Sequence, residues 1–337
     1  MKRKRKLFFN LFFILILSIL SSCTTYKNDK PVKIIFDTDI GNDINDVLAL
    51  QMLLNYHKAD ALDLLGITIS KSNPYTIPYI DGFCRYNNIE NIPIGYVYEG
   101  PNTNNGRYLK QTLDTLINDS PILEPQLTIR DNLLDAWELQ RKILSQQEDS
   151  SVVMVAVGPL TNLYRLLVSS SDQYSPLNGL DLISKKVRLL SVMGGVYSDS
   201  LQLAEWNIAQ DIESAMVVFN EWPGKIVTSG WEVGNELLYP SSSISNNFKN
   251  SNPLYISYSL WDQMPYDRPS WDLTSVLYAV EHNAGYFNLS DKGKVVVNEF
   301  GESHFISGLG NHHFLKIQST QLNNTLKTLI DRVTDIK

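Results

Sequence analysis

Cysteine is nearly absent from this chain: Cys23 and Cys84 are the only two in 337 residues. That excludes a disulfide framework and any Cys-based metal site. Histidine is scarce too, and none of His57, His282, His304, His312 and His313 falls within the densest run of acids. Basic charge is in deficit, with 29 Lys and Arg against 36 Asp and Glu. Nucleic-acid binders need basic stripes to neutralise phosphates, so that class of partner is set aside. Gly/Ser linkers, low-complexity tracts and repeats are missing from residues 31–337, which favours one unit. The longest apolar run, 7-LFFNLFFILILSIL-20, has fourteen residues, whereas a membrane span needs roughly twenty.

That run follows five consecutive basic residues, Lys2 to Lys6, and precedes Leu20-Ser21-Ser22-Cys23. A basic start, a short apolar core and small residues before a cleavage point make an export signal. The last four residues resemble a lipobox. The reading is therefore a lipoprotein signal peptide over 1–22, a lipidated Cys23 opening a polar tether over 23–30, and one domain over 31–337. An uncleaved N-terminal anchor is the competing reading. Two or more acyl chains on one residue anchor stably, which puts the protein on a bacterial cell-envelope membrane, the outer rather than the inner. Loss of five basic and no acidic residues takes the net charge from −7 to −12 (−7 − 5) and leaves Cys84 as the sole unmodified thiol.

Within 31–337 short apolar runs alternate with longer amphipathic ones. Strands are predicted over Val32–Phe36, Leu62–Ile69, Val152–Val157, Val187–Met193 and Lys225–Ser229. Helices are predicted over Asp43–Tyr56, Asn132–Gln146, Thr161–Ser169 and Asp211–Glu221. Such alternation implies an α/β fold with an open, mostly parallel, Rossmann-like sheet covered by helices on both faces. Ligands of these sheets bind beyond the carboxyl ends of the strands. Those ends are where the polar and glycine residues gather: Asp37-Thr38-Asp39, Ser70-Lys71-Ser72-Asn73, Gly158-Pro159-Leu160-Thr161-Asn162 and Gly230-Trp231-Glu232.

The first end carries the most charge. In 33-KIIFDTDIGNDINDVLALQMLLNY-56, Asp37, Asp39, Asp43 and Asp46 fall within ten residues. Crowded carboxylates repel one another and raise each other's pKa values. A bound cation removes that cost, and oxygen-only ligands favour Ca²⁺ or Mg²⁺ over zinc. A calcium hand fits poorly, because it needs glycine at its sixth position and Gly41 would be the fifth. A phosphotransfer fold with an Asp-x-Asp strand end competes, but its later lysine and second Asp pair are not evident. Helix capping accounts for one or two acids, not four.

These residues also carry a resemblance. "DTDIGNDINDVLAL" is similar to the N-terminal signature of the nucleoside hydrolase family, Asp-x-Asp-x-Gly-(x)-Asp-Asp-x-x-Ala-Leu. Gly158-Pro159-Leu160-Thr161-Asn162, then Met193-Gly194-Gly195, Ala204-Glu205-Trp206-Asn207 and Ser270-Trp271-Asp272-Leu273 resemble further family segments in the right order. The resemblance implies the family's open α/β fold with Ca²⁺ at its carboxyl edge, held by Asp39, Asp46, Asp272 and the backbone carbonyl of Thr161. It implies a Ca²⁺-dependent N-glycosidase acting on a nucleoside or related ribosyl compound, with an ion-bound water as nucleophile and Asp39 as general base. Substrate contacts would come from Asn207, Glu205, Met193 and Asn73. A homo-oligomer is left open.

Two departures stand out. The family's acid pair is Asn45-Asp46 here, so either Asn45 or Asp43 takes the place of the first acid at a ribose hydroxyl. Trp271 stands where many members have a histidine that protonates the departing base, and an indole donates a hydrogen bond without supplying a proton. Stacking of the base on Trp271 or Trp206 is the substitute. Together these departures define the alternative function, a lipid-anchored ribosyl-binding protein with weakened catalysis.

Overall fold

The computed structural model describes residues 30–198, 201 and 203–335; the segment expected to be a signal peptide, the expected lipidation site at Cys23 and the expected tether up to residue 29 lie outside them. Residues 31–337 form one unit. Its centre is strand β1 (Val32–Thr38), whose β-branched and aromatic side chains are almost all buried. β1 pairs in parallel with β2 (Leu62–Ile69) on one side and β4 (Val152–Ala156) on the other. The parallel run continues through β3 (Ile94–Tyr96) beyond β2, and through β5 (Val187–Met193) and β6 (Ile226–Ser229) beyond β4. Strands buried on both faces read as continuous apolar runs, which is why these were legible, apart from the three-residue β3, which was not predicted.

Among the described residues ten strands make the sheet: with β7 (Gly293–Val297), β8 (Ser303–Ser307) and β9 (His312–Lys316) the order is β8-β7-β9-β6-β5-β4-β1-β2-β3, and Asn288–Leu289 lies beside β9. Its last part was not predicted: β7 and β8 are antiparallel, while β9 pairs in parallel with β6. Half-exposed edge strands carry a weaker pattern than buried ones, and β8 has exposed positions His304, Ile306 and Ser307.

Helices cover both faces, each over its own apolar cluster. On one face lies α1 (Asn45–Lys58), apolar nearly all round and buried from Asn45 to Tyr56. A helix with no polar face must be enclosed, and here α9 (Trp271–Glu281) and α10 (Ser319–Thr334) pack over it. A Leu48→Ala change in that layer would cost about 2–5 kcal/mol. On the other face are α3 (Ala136–Ser145), α4 (Thr161–Val168) and α6 (Ile212–Glu221). Burial of α1 and α9 fixes their first turns at the carboxyl edge of the sheet. Those turns carry Asp46 and Asp272.

Candidate active site

The carboxyl ends of β1, β4, β5 and β6 open onto one cavity of about 490 Å³. Asp39 follows β1, Val157 follows β4, Met193 closes β5 and Trp231 follows β6. Asp46 and Asp272 enter from the first turns of α1 and α9, and Glu205 caps the short helix Trp206–Gln210. Two glycines permit this closeness. Gly41 turns the loop after Asp39 at φ +116°, and a Cβ on Gly158 would meet the Asp39 backbone nitrogen at 2.8 Å.

Asp39, Asp46, Asp272 and Glu205 are all buried. Asp39 Oδ2 accepts from Asn42 Nδ2 at 2.6 Å, and Asn42 Oδ1 accepts from the buried Lys71 ammonium. Burial raises the Asp39 carboxyl to about 6, with the Asn42 bond and Lys71 opposing and Asp43 adding to the shift. Asp46 Oδ1 accepts from Thr38 Oγ1 at 2.5 Å. Asp272 accepts no hydrogen bond from the described residues. Burial, then repulsion by other carboxylates, pushes Asp46 and Asp272 well above the usual range. Glu205 is raised to about 7 by burial, although Asn207, Ile208 and Gly195 N–H groups donate to it. Lys71 is lowered to about 8 by burial, with Asp39 and Asp46 opposing.

The outer wall is aromatic and cationic. Trp206, Trp231, Trp261 and Trp271 line it with Arg107 and Arg268. The Arg268 guanidinium lies 4.1 Å from the Trp261 ring centre and 5.0 Å from that of Trp271, and Arg107 lies 4.9 Å from that of Trp261. Asp43 pairs with Arg268 and also accepts from the Asn45 backbone and side-chain amides. Asn45 Oδ1, by contrast, is buried without a partner among the described residues. Asn207 Nδ2 donates to the Val157 and Met193 carbonyls and to the Met193 sulfur.

Ten expected site residues therefore meet in one cavity: Asp39, Asp43, Asn45, Asp46, Met193, Glu205, Trp206, Asn207, Trp271 and Asp272. Two do not line it. Asn73 is buried in hydrogen bonds to the Asn104 carbonyl, the Asn105 side chain and the Tyr75 N–H, and shapes its own loop. Thr161 opens α4, binds Asp211 through its hydroxyl and lines a separate cleft. The carbonyl-bearing residue that lines the acid cavity is Val157, four positions earlier.

No described histidine lines the cavity. His312 is held inside, its Nδ1 accepting from Val295 N–H, and burial pushes it down to about 4. Glu232 accepts from the Tyr197 and Ser198 N–H groups and pins their loop. Sequence reasoning missed Arg107, Arg268 and Trp261, and placed Trp231 at a strand end without giving it a role. Of the three missed residues Arg268 alone, three residues before the Trp271-Asp272 motif, stood near a recognised signal.

A cation fits the chemistry of this end of the cavity. Its donors are all oxygen, and the Asp272 carboxylate is buried among like charges with no donor to balance it. As placed, no three described acidic, His or Cys side chains converge tightly enough to enclose an ion.

A family model described as "inosine-uridine preferring nucleoside hydrolase" matches residues 34–299. No curated protein matches the chain. Among solved structures, an inosine-guanosine nucleoside hydrolase is 20% identical with a TM-score of 0.67, covering 90% of this chain and 99% of its own. A purine-preferring ribonucleoside hydrolase from Gardnerella vaginalis is 15% identical with a TM-score of 0.65, covering 90% and 98%. An inosine-uridine preferring nucleoside hydrolase from Bacillus anthracis is 15% identical with a TM-score of 0.62, covering 89% and 99%. At these identities the likeness is one of fold.

Proposed function

This chain belongs to the inosine-uridine preferring nucleoside hydrolase family, and from that premise we propose that it is a Ca²⁺-dependent N-glycosidase cleaving a nucleoside or related ribosyl compound. The observation that carries the reading is the Asp272 carboxylate, buried without a donor in the same cavity as Asp39 and Asp46. Asp39, Asp46, Asp272 and the Val157 carbonyl, rather than that of Thr161, would hold the ion. When bound, a divalent cation neutralises the cluster and makes a water easier to deprotonate.

The chain's own residues account for the other steps. Asn42 occupies one oxygen of Asp39, leaving the second to take a proton from the attacking water. Burial raises this carboxyl in the ion-free chain and a bound cation would oppose that shift, so Asp39 is ionised at pH 7 and within its cavity can act as the general base. As the bond to the base breaks, positive charge grows on the ribosyl ring, and the surrounding carboxylates stabilise it. Asn45 Oδ1, Asn207 and Glu205 accept from sugar hydroxyls while Met193 packs on the ring. Trp271, its Nε1–H already given to the Trp231 carbonyl, offers the base a stacking face and no proton.

The test is release of free base from a panel of purine and pyrimidine nucleosides, with Ca²⁺ or with a chelator. Ca²⁺-dependent release supports the hydrolase. Nucleoside binding without release supports the weakened binder, which the lack of a lining histidine favours. We also read residues 1–22 as the signal and Cys23 as the lipid anchor; Cys23→Ala should move the protein from the membrane to the soluble envelope fraction.

A further inference from the structure

The inner end of the cavity answers to a cation and a ribosyl group, but the outer end has the opposite sign. Asp43 engages Arg268 through Nε and Nη2, so the Nη1 edge of that guanidinium has no partner among the described residues. Arg107 has no acidic partner within ion-pair distance among them; its Nη1 donates to the Trp261 carbonyl at 3.3 Å. Two guanidinium groups thus share the Trp261 ring, and among the described residues Arg268 has a carboxylate partner while Arg107 has none. Trp261 is itself fixed, its Nε1–H donating to the Asn42 carbonyl at 3.2 Å in the loop that leads from Asp39.

An exposed arginine is ordinarily a solvated cation, worth little to stability. Arg107 differs in lining the substrate cavity and in lying over a ring that also carries Arg268. Both guanidinium groups line one cavity, and Asp43, the carboxylate at that end, is paired with Arg268, which leaves a positive charge that a bound anion would answer. Guanidinium groups suit carboxylate and phosphate oxygens, which can accept two parallel bonds. A neutral nucleoside would leave this charge unanswered.

We propose that Arg107 and Arg268, gathered on Trp261, form a subsite for a carboxylate or phosphate carried by the ribosyl compound. This rests on the hydrolase reading only in assigning the ribosyl end to the acids. The preferred substrate is then an anionic riboside rather than a neutral one.

The test uses the full chain with Ca²⁺ and two matched pairs of ligands: nicotinate riboside against nicotinamide riboside, and ribose 5-phosphate against ribose. The readout is kcat/KM for base release where a riboside is cleaved, and the calorimetric Kd where it is not. Preference for the anionic member of one pair by about tenfold or more, the size of one charge-assisted hydrogen bond, is expected. The pair that shows it identifies the group. Arg107→Gln should bring the ratio close to one, and Arg107→Lys should restore part of it. Absence of preference in both pairs, or a preference unchanged in Arg107→Gln, overturns the subsite. Tighter binding of an anionic ligand without any cleavage would keep the subsite and sink the hydrolase reading; equal cleavage of neutral and anionic ribosides would do the reverse.

Discussion

Asp43 and Arg268, 225 residues apart in sequence, form an ion pair in the wall of the acid cavity. The pair joins the loop before α1 to the segment before α9, the two helices that deliver Asp46 and Asp272. It also occupies Asp43, which already receives both Asn45 amides. Of the two candidates for the missing acid's place, Asn45 is the one with a free acceptor, its buried Oδ1.

Loss of that pair should be felt in stability. Arg268→Gln leaves the Asp43 charge half-buried and removes cover from two tryptophan faces. The pair is partly exposed, at 21% and 26% of the side-chain surfaces, so the full cost of a buried pair does not apply. Denaturant unfolding should show a loss of about 1–2 kcal/mol.

A buried acid away from the ion should matter more. Asp37 Oδ2 accepts from Thr68 Oγ1 at 2.6 Å, Asn162 Nδ2 at 2.8 Å and Gln140 Nε2 at 3.2 Å. Asp37→Ala orphans Asn162 Nδ2 on α4, while Thr68 on β2 and Gln140 on α3 keep a bond to each other and Thr68 keeps the Phe36 carbonyl. At about 1–3 kcal/mol for an unsatisfied buried group, the variant should lose about 2–3 kcal/mol. A loss under about 1 kcal/mol would mean that water replaces the carboxylate.

The raised carboxyls set a pH dependence. In the folded chain Asp37 is raised from 3.8 to about 7, Asp39 from 3.8 to about 6, and Glu205 from 4.5 to about 7. Between those limits the folded state holds protons that the unfolded state has released, so stability falls as pH rises. With a chelator, thermal unfolding should therefore come at lower temperature at pH 7.5 than at pH 5. Ca²⁺ should reverse the part of that drop that comes from the ligand carboxylates Asp39, Asp46 and Asp272 at pH 7.5 and do little at pH 5. A chelated protein more stable at pH 7.5 than at pH 5 would contradict the account.

Lys71 reaches Asp39 through one intermediary, as the Lys71 ammonium donates to Asn42 and Asn42 to Asp39. Lys71→Met should loosen Asn42 and remove a nearby positive charge. The expected result is a fall in kcat of about tenfold with KM changed less than threefold, in keeping with a group that orients the base without touching substrate.

The strands around the site were legible because burial on both faces left them as unbroken apolar runs. Leu62–Ile69 and Val187–Met193 begin and end where their patterns do. The acids were legible because four in ten residues exceed what a helix start needs. Thr161, carried along by its motif's side chains, has its hydroxyl on Asp211 and lines a separate cleft, whereas Val157, whose side chain reads as core, lines the acid cavity. Asn73 does not line the cavity, since an amide after a strand serves a loop as readily as a ligand. Arg107 and Trp261 gave no signal, since a lone arginine and a lone tryptophan acquire meaning only when folding stacks them.

Base release by wild type and by Asp39→Ala, compared on the best-cleaved riboside with Ca²⁺ present, tests the central claim most directly. A positioned base is worth about 10²–10⁴ in rate, and Asp39 also helps hold the ion. The account predicts a loss at or above the top of that range, in a protein whose melting still responds to riboside. Cleavage within tenfold of wild type would show that Asp39 is not the base and that the chemistry lies elsewhere.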